Sequence, residues 1–481
     1  MRRATSALLA CALVAGCGLT RAALPPVSQP LAATPLDALG TPPEPATPRL
    51  GSLVPAMQTE TLPNGLSLVI VERHDAPIVA IDLACRASGA DDARAPRGID
   101  TLLERVLAAE ALTIAPELAE NAAPSVDVAS IGASISADAT TATSERLLRT
   151  IARLARAPIF DRELVHLVRG NLDRDIGTEL ATAGALVDEH TGTMLYGEAD
   201  PRSGTWYGER AAFRRLDVDE LRARHRALFA PRESVLVVVG DVDPAAVRSL
   251  VDQVLGDWSH TAPPSRRWET PTFPQPRARL HGIPTGGEQS VIRMTERGPH
   301  ATHPDVPAFE VVEALLGGMF GARLNRVLRE EQGYTYGVGT STTYRRDYGV
   351  LRIAFAVPAV HTRSTILALV DELRRVGDAS RIEPEELEHA RMHAIAERRA
   401  RFATRQGTAS AIARAFLLEQ PVDMDDAQIR AIASVSAEEV ARVARTYLRP
   451  EGAPIVVAGE AQYLFWSVSG IPGGYEFVER P

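Results

Sequence analysis

Residues 217–240 read DVDELRARHRALFAPRESVLVVVG, and residues 436–459 read SAEEVARVARTYLRPEGAPIVVAG. In the first stretch Asp217 and Glu220 have the form of a capping box, in which a short acceptor and a Glu satisfy free amide donors. Leu221, His225, Leu228 and Phe229 follow at helical spacing. Pro231 stops the helix, and Val235 to Gly240 reads as a buried strand. Adding 219 to each number gives the second stretch. There Ser436 and Glu439 open a helix carrying Val440, Val443, Ala444, Tyr447 and Leu448 on one face. Pro450 stops it, and Ile455 to Gly459 is the strand. The Glu, the Pro, the Val-Val pair and the final Gly coincide in register, which argues for duplication. A fainter echo sets Leu103, Arg105, Val106 and Leu107 against Leu324, Arg326, Val327 and Leu328. Helices and strands recur in both halves. The fold class is therefore α+β, with two homologous α/β-sandwich domains in tandem, each a mainly antiparallel sheet with helices packed on it.

Working outward, a Pro-rich stretch at 263–276 separates an N-terminal domain (57–262) from a C-terminal one (277–465). Residues 466–481 read as a tail, preceded by Tyr463-Leu464-Phe465 and opening on Trp466. Residues 17–56 are rich in Pro, Ala and Thr and read as an extended tether. Residues 1–16 read as a signal peptide: Arg2 and Arg3 are a basic start, and Ala7 to Ala15 is an apolar run too short to span a bilayer as a helix. Val14-Ala15-Gly16-Cys17 resembles a bacterial lipobox. Its Cys17 would be lipidated and would tether the chain to a membrane, each buried methylene adding about 0.8 kcal/mol. Gly18 after the Cys points to the outer membrane of the bacterial envelope. The alternative is a plain secretory signal with a chance Cys.

The 481 residues are 45% hydrophobic and 23% charged, which excludes collagen-like, fibrous and disordered classes. The net charge of −9 argues against a nucleic-acid partner, which requires a basic face. Every basic residue among the 52 is Arg, so a lone Arg carries little information. Cys11 leaves with the signal and Cys17 takes lipid, so Cys85 stays free and no Cys-based metal site is available. Cys85 ends the apolar run from Ile78 and reads as a small buried strand residue.

Several segments resemble the pitrilysin/insulinase-type metallopeptidases. Leu62-Pro63-Asn64-Gly65 leading into Leu66 to Val71 looks like that family's opening strand. Ser88-Gly89, then Gly98-Ile99 leading into a helix, continues the likeness. Phe229-x-Pro231 through Val242 resembles the end of the family's first domain. Leu316-Gly317-Gly318 through Leu324, followed by Leu328-Arg329-Glu330 through Tyr336-Gly337, resembles the signature of its second. No Lys-Ser/Thr follows these glycines, so a phosphate loop is excluded. The resemblance covers roughly residues 57–465.

That resemblance implies an inverted zinc motif, His-x-x-Glu-His, on the first long helix, with the Glu as general base. Here the corresponding run is Thr101-Leu102-Leu103-Glu104-Arg105. Thr is a poor zinc ligand, and a permanently protonated guanidinium has no lone pair to offer. Catalytic zinc takes three protein ligands. Thr101 and Arg105 are therefore degenerate ligand positions, and Glu104 is a retained but idle general-base position, or simply a solvated or salt-bridged helix residue. Asp173, Asp175 and Glu179, on a helix expected at about 162–182, are candidates for the third-ligand position. No metal and no cofactor is expected in this chain. His389 and His393 share a helix face without a Glu between them. His300, His303 and His190 form no convincing ligand set.

The resemblance also implies an Arg and a Tyr seven residues apart in the second domain, which hold the scissile carbonyl and stabilise the developing oxyanion. Arg329 and Tyr336 have that spacing. The alternative pairs Arg329 with Glu330 and buries Tyr336 as a core aromatic; Tyr334 and Arg323 are structural candidates nearby. Some members of the family work as two chains, one with the zinc motif and one with the Arg/Tyr pair. The resulting expectation is a zinc-less subunit, inert alone, that binds a peptide substrate and completes the site of a homologous zinc-bearing partner. A non-catalytic scaffold or envelope assembly protein of the same fold is the alternative. An autonomous zinc metalloendopeptidase is a third reading and would require zinc in the isolated chain.

Overall fold

The computed structural model describes residues 53–86, 95–119, 122–129, 131–179, 182–197, 200, 202–261, 280–449, 455–468 and 475–477. The signal, Cys17, most of the tether, Ser88-Gly89 and the linker 263–276 lie outside them. The chain divides into Met1–Gly51 and Ser52–Pro481, and the description concerns the second unit.

The first half runs β1 (Gln58–Thr61), β2 (Ser67–Glu72), β3 (Ile78–Cys85), α1 (Ile99–Ile114), β4 (Ser125–Ala129) and β5 (Gly132–Thr140). It continues with α2 (Thr141–Arg156), α3 (Arg162–Glu179), α4 (Ala183–Tyr196), α5 (Arg210–Phe213), α6 (Val218–Leu228), β6 (Ser234–Gly240) and α7 (Pro244–Leu255). The second half runs β7 (Leu280–Pro284), β8 (Gln289–Gly298), α8 (Val306–Glu313), α9 (Arg323–Asn325), β9 (Gly339–Tyr344), β10 (Gly349–Pro358) and α10 (Thr362–Val376). Then come α11 (Pro384–Ala400), α12 (Arg405–Leu417), α13 (Met424–Ser434), α14 (Ala437–Tyr447), β11 (Ile455–Gly459), α15 (Ala461–Val468) and β12 (Tyr475–Phe477).

The two sheets have the same plan. The first is ordered β1-β2-β6-β3-β5-β4 and the second β12-β7-β11-β8-β10-β9. In each, one pair is parallel (β2 with β6, β7 with β11), and the strands from β6 to β4 and from β11 to β9 pair antiparallel. The edges reveal a difference. β1 precedes its sheet and pairs antiparallel, whereas β12 comes from the far end of the chain and pairs parallel. β12 lies within the stretch 466–481 read as a tail, so that stretch contributes an edge strand.

The caps, strands and glycines of the duplicated signature have a physical basis in both copies. Asp217 with Glu220 and Ser436 with Glu439 form capping boxes, starting α6 and α14. β6 and β11 are buried along their whole length. A Cβ on Gly240 would lie 2.2 Å from the Ile78 carbonyl oxygen, and one on Gly459 would lie 2.4 Å from Ser290 Oγ, so neighbouring strands exclude any side chain at both. The fainter echo does not correspond to equivalent positions. α8 sits between β8 and β9 as α1 sits between β3 and β4, and Leu324 to Leu328 belong to a separate turn after α8.

Each half covers the other's sheet. Ala409, Ile412, Ala413 and Leu417 of α12 pack on Val69, Val71, Ala80, Ala84 and the β6 valines of the first sheet. Leu186 and Val187 of α4 pack on Ile283, Val456 and Ala458 of the second. The two larger cores lie on the opposite faces, under α1, α2 and α6 in one half and α8, α10 and α14 in the other. At about 25 cal/mol per Å² of apolar area, these exchanged contacts bind the halves into one structure. Leu53, in the stretch read as tether, donates its amide to Asp426 Oδ1 at 2.8 Å and so joins the fold. Cys85 is fully buried beside Ser234, and burial pushes its thiol up to about 12.

Candidate functional site

α1 begins at Gly98, in the left-handed region at φ 82°, and buries Ile99, Leu102, Leu103, Val106 and Leu107. That i, i+3, i+4 stripe turns the remaining positions outward. Thr101 is half-buried and Arg105 is exposed. Glu104 leans toward the sheet edge, where its Oε1 accepts a 2.6 Å hydrogen bond from the Val128 amide of β4. Burial pushes the Glu104 carboxyl up to about 7, Asp127 and Asp100 adding to the effect. The half-buried carboxylate has no salt bridge among the described residues and is bonded to the backbone of an edge strand.

The residues do not fit a zinc ion. Thr101 and Arg105 offer no imidazole, and the Glu104 carboxylate already holds a backbone amide. On α3, Asp173 is clamped by Arg210 at 2.7 Å and Arg214 at 2.8 Å, which hold its carboxyl well below the usual range. Asp175 is exposed. The side chain of Glu179 is outside those described. Among the described residues no group of three or more His, Cys, Asp or Glu side chains could hold a metal. His389 is exposed on α11, and His393 lines a cavity between α8, β9, α11 and α12. His300 and His303 meet edge to face with ring centres 5.1 Å apart, and His190 Nε2 lies 3.1 Å from His281 Nδ1.

The second candidate region is the segment from Met319 to Val338, and its sequence pins it at several points. Arg323 is buried and forks onto Glu386 at 2.6 and 2.7 Å while reaching the Arg381 carbonyl. Asn325 donates to the Met319 carbonyl at 3.1 Å and accepts from the Val338 amide at 2.7 Å, tying the two ends together. Leu324 and Leu328 are buried, and Tyr334 stacks on His361 at 3.9 Å. Arg323 and Tyr334 are therefore structural.

What this scaffold leaves outside is the Arg/Tyr pair. The Arg329 guanidinium lies 4.1 Å over the Phe320 ring, a cation–π contact, and has no salt bridge among the described residues. Phe320 itself is 70% exposed and Tyr336 is 99% exposed. Arg329 does not pair with Glu330, and Tyr336 is not a core residue. Both functional groups are free to donate hydrogen bonds outward, although Arg329 stacks on Phe320 and Tyr336 stands apart in solvent.

Residues 215–393 match the family model described as Peptidase M16 inactive domain. No curated protein matches the chain. Among solved structures, the peptidase M16 inactive domain from Pseudomonas fluorescens is similar at 20% identity and a TM-score of 0.74, over 84% of this chain and 98% of that one. A protease from Helicobacter pylori is similar at 16% identity and a TM-score of 0.72, over 84% and 100%. An M16-like peptidase from Alicyclobacillus acidocaldarius is similar at 16% identity and a TM-score of 0.70, over 84% and 98%. At these identities the structures show a shared fold. The family match spans α6 through most of α11, including Arg329 and Tyr336, and likens this part of the chain to the M16 inactive domain.

Proposed function

We propose that this chain is a zinc-less M16 subunit that binds peptide and lends Arg329 and Tyr336 to the active site of a homologous partner bearing His-x-x-Glu-His. The observation that carries this reading is the exposure of Tyr336 and of the Arg329–Phe320 pair on a segment anchored by buried Arg323 and Asn325. A solvent-facing phenol and an unpaired guanidinium on a fixed scaffold can donate to a carbonyl oxygen as it gains negative charge. Fixed donors of this kind need no rearrangement when the charge develops. The degenerate positions Thr101 and Arg105, with Glu104 held by Val128, support the chain's being inert alone. Lipidation at Cys17, and attachment to the outer membrane through it, belong to the same reading and rest on the sequence of residues 1–17.

The test uses a homologous His-x-x-Glu-His chain from the same genome, assayed on unstructured peptides with and without this protein. Cleavage should require both chains. Tyr336→Phe and Arg329→Ala should each lower kcat roughly 10²-fold or more while complex formation persists. Undiminished cleavage with both variants removes the proposed role and leaves a scaffold.

A further inference from the structure

The Arg329 side chain is held by an aromatic ring and by nothing else among the described residues. Its guanidinium carbon lies 4.1 Å over the centre of the Phe320 ring. The kind of partner matters. A carboxylate in that place would grip the guanidinium by its N–H groups and use up the donors that a carbonyl oxygen needs. A ring attracts the whole cation through its electron-rich face, so the donors stay available.

Phe320 is 70% exposed, so burial does not fix its ring; the backbone does. The Met319 carbonyl accepts from the Ala322 amide at 3.1 Å and from Asn325 Nδ2 at 3.1 Å, closing the turn that carries Phe320. Ala322, on the far side of that turn, is fully buried. Just upstream, Gly317 passes β9 so closely that a Cβ would lie 2.6 Å from Thr340 Cγ2. The turn is thus fastened on both sides. Asn325 Oδ1 also accepts from the Val338 amide at 2.7 Å, two residues after Tyr336. One side chain therefore ties the turn beneath Arg329 to the arm that carries Tyr336.

We propose that Phe320 is a positioning residue, whose ring pre-orders the Arg329 guanidinium for the substrate carbonyl. This role rests on the one proposed above for Arg329 and adds the residue that steadies it. An exposed arginine otherwise samples many rotamers, and selecting one as substrate arrives costs rotamer entropy. The ring supplies part of that ordering in advance.

The test has two arms. The first uses the full chain alone and reads the Arg329 Nε–H signal by NMR, assigned through its loss in Arg329→Ala. In Phe320→Leu that signal should lose its ring-current shift and its order parameter should fall; Phe320→Tyr should keep both. The second arm adds the His-x-x-Glu-His chain and follows peptide cleavage. Phe320→Leu should lower kcat about two- to fivefold, the size of an exposed cation–π contact, with KM little changed. Phe320→Tyr should recover most of that loss. Phe320→Leu combined with Arg329→Ala should cleave no more slowly than Arg329→Ala alone, whereas a purely structural role would add a loss of its own. An Arg329 signal or a kcat that does not respond to Phe320→Leu, a Tyr variant as slow as the Leu variant, or additive losses would each overturn the positioning role and leave that of Arg329 standing. No cleavage by the pair of chains, or undiminished cleavage with Arg329→Ala, removes the role of Arg329 and that of Phe320 with it.

Discussion

Glu104 of α1 and Val128 of β4 are joined by a 2.6 Å hydrogen bond from backbone amide to carboxylate. In the second half Glu313, closing α8, takes the hydroxyl of Thr342 on β9 across the same gap. Both carboxyls are pushed up to about 7 by burial. A carboxylate on the first helix that fastens the edge strand is thus common to both halves. Glu104 has a structural task that is independent of zinc.

The burial of Glu104 predicts a pH dependence. The Glu104 carboxyl sits at about 7 in the folded chain against an ordinary 4.5. Its contribution to stability is therefore fully present below about pH 4.5 and is lost as pH rises through 7. Glu104→Gln keeps an acceptor for Val128 and removes the titration. Relative to the parent, the variant should gain about 1–2 kcal/mol between pH 4.5 and pH 7.5, the figure being reduced for solvent screening at this partly open position. Urea midpoints of both proteins at the two pH values measure it. An unchanged difference would show that the carboxyl titrates normally.

Arg398 is the most heavily engaged buried cation of the second half, with Glu310 and Asp425 both bonded to it. Arg398→Met leaves the Glu310 carboxylate without its cation, while Arg401 still holds Asp425. A loss of about 3–5 kcal/mol is expected. Adding Glu310→Gln should restore part of it, and both effects are read from chemical denaturation. A loss below about 1 kcal/mol would mean that water already screens the group.

The exchanged helices predict joint unfolding. Ile412 of α12 is buried against the first sheet although it belongs to the second half. Ile412→Ala should cost about 2–5 kcal/mol. Differential scanning calorimetry should still show one transition, moved to lower temperature. Two separated transitions would show that the halves melt independently.

The repeat was legible because each of its letters has a local cause. Glu220 and Glu439 complete caps, and Gly240 and Gly459 sit where a neighbouring strand leaves no room. Other features lacked a linear signal. The apolar face of α12 shows that the helix is buried but not which sheet buries it. β12 is three residues long and is defined by its pairing with β7, about 195 residues earlier in sequence. Tyr344 and Arg414 line one cavity although 70 positions separate them. One clue was available: Arg398 continues the buried stripe of Leu387, Ala390 and Ala394 along α11, and a charge on such a stripe requires buried partners.

The central claim is that α1 provides no zinc site. Elemental analysis of the purified chain, after incubation with zinc and removal of free metal, tests it most directly. Zinc should stay far below one ion per chain, unchanged by Glu104→Ala. One tightly held ion per chain, lost in Glu104→Ala, would contradict it.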